Sequence, residues 1–115
     1  MRNAIVAKIS YSNTAITDLE QIGDYIAKQL KNPSAALNTV NKIQDKIDTL
    51  ADFPLIGVPL SSIYAIDTDY RFLVSGNYLA FYRLAGDEIL IDRVLYGRRD
   101  YIAVLFGEPA PDARD

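Results

Sequence analysis

The residues able to do chemistry are few in kind and gather late in the chain. There is no cysteine and no histidine. That removes thiolate nucleophiles, the commonest general base and the commonest metal ligand. Any reactive group must then be Arg, Lys, Tyr, Asp or Glu, and neither a metal nor a cofactor is expected. After Lys46 every basic residue is an arginine: Arg71, Arg83, Arg93, Arg98, Arg99 and Arg114. The densest stretch is LYGRRDYIAVLF, Leu95–Phe106, where Arg98 and Arg99 follow Gly97 and precede Tyr101. A guanidinium presents five donors in a fixed fork, suited to phosphate, carboxylate or carbonyl oxygen alike. The same arginines could instead fasten the end of a strand by pairing with Asp100, Asp92 or acids on neighbouring helices.

These side chains need elements to position them. Ala4–Tyr11 alternates, with Ile5, Ala7, Ile9 and Tyr11 on one face, and reads as a strand. Ser12, Asn13 and Thr14 offer a helix cap. Ile16, Leu19, Ile22, Ile26 and Leu30 then recur every three or four residues as one apolar stripe. Asn32-Pro33 breaks the pattern, with Asn as cap and Pro in the first turn of the next helix. Ala36, Val40, Ile43, Ile47 and Leu50 form a second stripe, so the two helices pair as an antiparallel hairpin. Residues 54–69 read as an ordered loop. Tyr70–Ser75, Tyr78–Leu84 and Glu88–Tyr96 read as strands separated by Gly76-Asn77 and Ala85-Gly86-Asp87, both with hairpin chemistry. Gly97 ends the last strand, and Arg98–Phe106 forms one or two helical turns. The expected fold is α+β: β-α-α-β-β-β, an antiparallel sheet on a helical hairpin, with a short C-terminal helix. One domain spans 1–107, and the polar tail 108–115 reads as flexible.

With Val74 set opposite Tyr78, one sheet face carries Tyr70, Phe72, Val74, Tyr78, Ala80, Tyr82 and Leu84. The other carries Arg71, Leu73, Leu79, Phe81 and Arg83. Both are mostly apolar, whereas a sheet wetted on one side alternates apolar with polar. The helical hairpin covers one face. The second is expected to meet another chain, or else to lie under the 54–69 loop. On this register Arg71 and Arg83 share a face and could pair with Asp69 and Asp92.

The chain has 115 residues, half of them hydrophobic, and a net charge of −3. Its length fits one domain, and its charge weighs against a nucleic-acid grip, which is usually basic. The N-terminus lacks the apolar core of a signal peptide and no segment has the roughly 18 apolar residues of a membrane span. A cytoplasmic protein without membrane contact is expected.

The element order and three segments together resemble the RelE/ParE superfamily of type II toxin–antitoxin toxins. The segments are NPSAALNTVNKIQDKIDTLADFPLIGVPL, YRFLVSGNYLAFYRLAGDEILIDRVL and GRRDYIAVLF, and the likeness spans residues 3–107. It implies a growth-inhibiting toxin held by a cognate antitoxin. RelE-like members cleave mRNA on the ribosome; ParE-like members poison DNA gyrase. A RelE-like site here would use Arg71, Arg83 and Arg99. Yet Leu73, Leu79 and Leu105 stand where that branch keeps functional groups. The helical hairpin with its Asn-Pro turn and the P-x-x-G of Pro54–Gly57 is more similar to the ParE-like branch. The resemblance implies target contacts at Arg98, Arg99 and Tyr101, and antitoxin contacts at Tyr70, Phe72, Tyr78 and Tyr82. A third outcome is a decayed member that binds antitoxin without toxicity.

Overall fold

The computed structural model describes residues 7–107. The first part of the expected opening strand, residues 4–6, and the tail 108–115 lie outside the described residues. The elements are β1 (Lys8–Tyr11), α1 (Asn13–Asp24) running into a π-helical turn (Tyr25–Gln29), α2 (Pro33–Asp48), β2 (Val58–Pro59), β3 (Arg71–Ser75), β4 (Tyr78–Ala85), β5 (Glu88–Tyr96) and α3 (Tyr101–Phe106). The α+β class expected from the sequence stands, with one strand added to its order: β2 lies in the 54–69 segment expected to be a loop and pairs with β3. The sheet is mixed rather than wholly antiparallel: the order is β1-β5-β4-β3-β2, with β1 parallel to β5 at one edge.

The caps explain where the helices begin. Ser12 Oγ accepts from the Ala15 N–H at 2.9 Å, and Asn32 Oδ1 accepts from the Ala35 N–H at 3.1 Å with Pro33 in the first turn. Each such cap contributes about 1 kcal/mol. The α2 stripe is core: Ile43, Ile47 and Leu50 are all but fully buried. The α1 stripe is narrower than expected. Ala15, Leu19 and Ile26 are buried, but Ile16 and Leu30 are exposed. The π-turn, closed by the Leu30 N–H on the Tyr25 carbonyl, rotates the end of the stripe off the core.

Register decides which face each strand residue takes, and here it differs from expectation. Ser75 pairs with Tyr78 across a two-residue Gly76-Asn77 turn, Gly76 having φ +59°. That is one residue away from a Val74–Tyr78 pairing, and a one-residue slip exchanges the faces. Leu73, Ala80 and Tyr82 therefore meet the helical hairpin, together with Ile89, Ile91 and Val94. Tyr70, Phe72, Leu79, Phe81 and Leu95 form a second core on the opposite face. In β5 the partners step from Phe81–Arg93 to Tyr82–Ile91, leaving Asp92 as an extra, bulged residue. This bulge lets both Ile91 and Val94 face the hairpin.

The chain covers its own second face, which corrects the expectation of a face awaiting another protein. Ile102 of α3 and Leu60 are buried there, with Tyr64, Ile66, Tyr101, Val104, Leu105 and Phe106 packed around them.

Candidate functional site

The arginines separate once their neighbours are in place. Arg71 lies beside Tyr82 in the sheet. Its Nη1 donates to the Gly57 carbonyl at 2.8 Å and the Leu55 carbonyl at 3.1 Å. The Tyr82 hydroxyl, at the same place, accepts from the Gly57 N–H and donates to the Pro54 carbonyl, both at 2.9 Å. Two side chains thus clamp the Pro54–Gly57 loop onto the sheet. Gly57 is required by close approach: a Cβ there would stand 2.5 Å from Tyr82 Cε1. Arg83 is occupied elsewhere. It pairs with Asp69 at 3.0 Å and lies 4.9 Å above the Tyr70 ring. The pairing with Asp69 was foreseen, but Arg71 and Arg83 do not share a face.

Arg93, not singled out from the sequence, makes the firmest ion pair. Its Nε and Nη2 hold the two oxygens of buried Asp18 at 2.8 and 2.9 Å. The Val94 N–H adds a third bond to that carboxylate. The Asp18 hydrogen bonds raise the Arg93 pKa further above its ordinary value. This pair ties α1 to the strand just after the bulge. The only hint in the sequence was an acid on the buried stripe of α1.

Tyr70 donates its hydroxyl hydrogen to Asp92. Its pKa is pushed up to about 12, first by burial and then by Asp92. Tyr101 shares a 3.1 Å hydroxyl contact with Tyr64 and packs at 5.2 Å on Phe81. Burial and Tyr64 push it up to about 12 as well. A base working near neutrality needs a pKa near neutrality, so neither phenol is poised for that role. Tyr101, expected to meet a target, is half-buried and helps bind α3 to the sheet through Tyr64 and Phe81.

The expected antitoxin set is also split. Tyr70 and Phe72 are buried in the second core, and Tyr82 is fully buried under the helical hairpin. The register puts them on opposite faces. Of the four, only Tyr78 stays half-exposed, 5.8 Å from Tyr96 in an edge-to-face pair.

Arg98 and Arg99 remain outward. Gly97 closes β5 by donating to the Asn77 carbonyl at 2.7 Å, and Arg99 N–H returns to the Tyr96 carbonyl at 3.0 Å. Asp100 then caps α3 through the Ala103 N–H. This turn leaves both guanidinium groups exposed, and neither forms an ion pair among the described residues. Arg99 borders an open groove of about 520 Å³ between α1 and the ends of β4 and β5. A second groove of about 490 Å³ runs between α1 and α2, past Ile16, Leu37 and Val40.

Comparison with known proteins agrees with this architecture. A chain of the chromosomal ParDE toxin–antitoxin system from P. aeruginosa superposes with TM-score 0.66 at 23% identity, over 79% of this chain and 96% of that one. A chain of the RelBE2 toxin–antitoxin complex from Mycobacterium tuberculosis gives 0.55 at 19% identity, over 80% and 99%. No curated protein matches at the sequence level. The family described as the ParE toxin of the type II toxin–antitoxin system parDE matches residues 9–101. With that match over most of its length, the chain belongs to the ParE toxin family.

Proposed function

We propose that this toxin inhibits growth in the cytoplasm by binding DNA gyrase, without catalysing a reaction of its own, and that a cognate antitoxin silences it. The observation that carries the proposal is the dispersal of the arginines. A ribonuclease site built from Arg71, Arg83 and Arg99 would need them to converge on one phosphate. Instead Arg71 is used on loop carbonyls and Arg83 on Asp69. Arg99 stands at the other end of the strands, beside Tyr96. Leu105, where the ribonuclease branch keeps a tyrosine, packs into the second core. Charge stabilisation by one exposed arginine is not a phosphodiester-cleaving constellation. A binding surface at the Arg98-Arg99 turn needs no such convergence.

The test uses the purified chain in two parallel assays. Supercoiling by gyrase should be inhibited, with cleaved DNA accumulating, while mRNA in a translating extract stays intact. Ribosome-dependent mRNA cleavage with untouched gyrase would replace the proposal by the RelE-like reading. Inactivity in both, with antitoxin still bound, would mark a decayed member.

A further inference from the structure

We infer that the groove bordered by Arg99 seats an acidic, otherwise apolar segment of the antitoxin, whose carboxylate pairs with the Arg99 guanidinium. The inference rests on the toxin reading above. The groove is preformed. Tyr78 and Tyr96 brace one wall as a cross-strand aromatic pair. Asp18 at its floor is fixed by Arg93 and Val94. The opposite rim is the π-turn, a rare element often found at functional sites. It begins at Tyr25 and is closed by Leu30, exposed by 55% and 58%, across from Tyr96 at 42%.

Charge selects the occupant. Arg99 is the one cation among the lining residues and Asp18 the one anion. Both Asp18 oxygens are already bonded to Arg93. The unanswered charge of the groove is therefore positive, on a chain whose net charge is −3. A carboxylate would find a fork of donors there, and the tyrosines and leucine would cover apolar side chains beside it. One arginine is too little for a nucleic-acid strand, whose binding rests on several phosphate contacts. The α1–α2 groove differs in this respect: its only charged lining residue is Glu20, so it has no cation to choose a carboxylate. The Arg99 groove is also continuous with the proposed target surface. An antitoxin residue paired with Arg99 would remove that surface directly.

The experiment titrates the full-length chain with its cognate antitoxin. Arg99→Glu and Tyr25→Ala should each weaken binding by about tenfold or more. Lys28→Glu, the same charge change on the π-turn but outside the groove, should change it by less than about threefold, as rim charges do. Changing the antitoxin's acids singly to Arg should find one that restores binding to Arg99→Glu. Unaltered circular-dichroism melts would confirm that the variants fold. Equal losses for Arg99→Glu and Lys28→Glu, with no restoring partner, would overturn the inference. So would full antitoxin affinity in Arg99→Glu alongside lost gyrase inhibition, which would assign the groove to the target alone. If the unaltered chain bound no antitoxin, the toxin reading itself would fall, and the inference with it.

Discussion

Replacing Tyr82 by Phe should cost stability rather than recognition. The ring stays in the core, where Tyr82 is fully buried. Only the oxygen is lost, and with it two bonds of 2.9 Å, from the Gly57 N–H and to the Pro54 carbonyl. Gly57 is buried, so its orphaned N–H costs about 1–3 kcal/mol. Pro54 is only half-buried and can turn to water, which limits that loss to about 1 kcal/mol. The sum is about 2–4 kcal/mol, or a melting-temperature drop of about 10 °C for a domain of this size. Urea titration at 25 °C gives the first figure and thermal circular dichroism the second. Gly57→Ala probes the same clamp from the other side. Its Cβ would meet ring carbons at 2.5 and 2.8 Å, and these remain in the Phe background. Gly57→Ala should therefore still destabilise Tyr82→Phe. The double change should cost less than the sum, because either one alone already loosens the loop. A Tyr82→Phe protein of unchanged stability but impaired antitoxin binding would refute this reasoning and return Tyr82 to the surface.

Other changes test the remaining parts. Asp18→Ala leaves Arg93, still 22% exposed at its side chain, without its partner; a loss of about 3 kcal/mol by chemical denaturation is expected. Ile43→Ala and Ile47→Ala should each cost about 2–5 kcal/mol, and losses below about 0.5 kcal/mol would contradict their burial. Tyr11, Tyr70 and Tyr101 are held at about 12 rather than 10.0, burial being the first cause in each. The folded state thus binds these protons more tightly than the unfolded chain. The stability they contribute is whole below about pH 10 and fades as pH climbs towards 12. Melts across that range should show the decline, shallower in Tyr70→Phe, and a flat profile would contradict it. In growth assays Arg99→Ala should relieve toxicity more than Arg98→Ala, since Arg99 alone borders the groove; equal effects would point to the turn's net charge instead.

The sequence carried the hairpin of helices openly. The spacing of Ala36, Val40, Ile43, Ile47 and Leu50 and the Asn32-Pro33 cap are local signals, and local signals survive folding. What failed to show were single-residue shifts in phase. A turn of two residues at Gly76-Asn77, instead of three, exchanged the faces of β3 and β4. The extra residue at Asp92 brought Val94 round to the face of Ile91. The π-turn carried Leu30 out of its stripe. Each shift is small in the chain and large in space, because a strand's side chains alternate and a helix turns through about 100° per residue. The covering of the second face was legible in part. Ile102, Leu105 and Phe106 are apolar at helical spacing, but the face they would seek was misassigned by the register.

The candidate site was harder to read for a chemical reason. A guanidinium binds a phosphate, a carboxylate or a backbone carbonyl with the same fork, so residue type cannot say which acceptor it meets. Arg71, Arg83, Arg93 and Arg99 look alike in the sequence, yet the fold gives the first three partners from within the chain: two carbonyls, Asp69 and Asp18. What distinguishes Arg99 is position, not type. It follows Gly97 in a turn whose hydrogen bonds are made by backbone, so its side chain is not needed to hold the corner. A cation kept exposed beside an apolar, aromatic-edged groove adds nothing to folding that a solvated residue would not. The partner recognition proposed above would account for both features together.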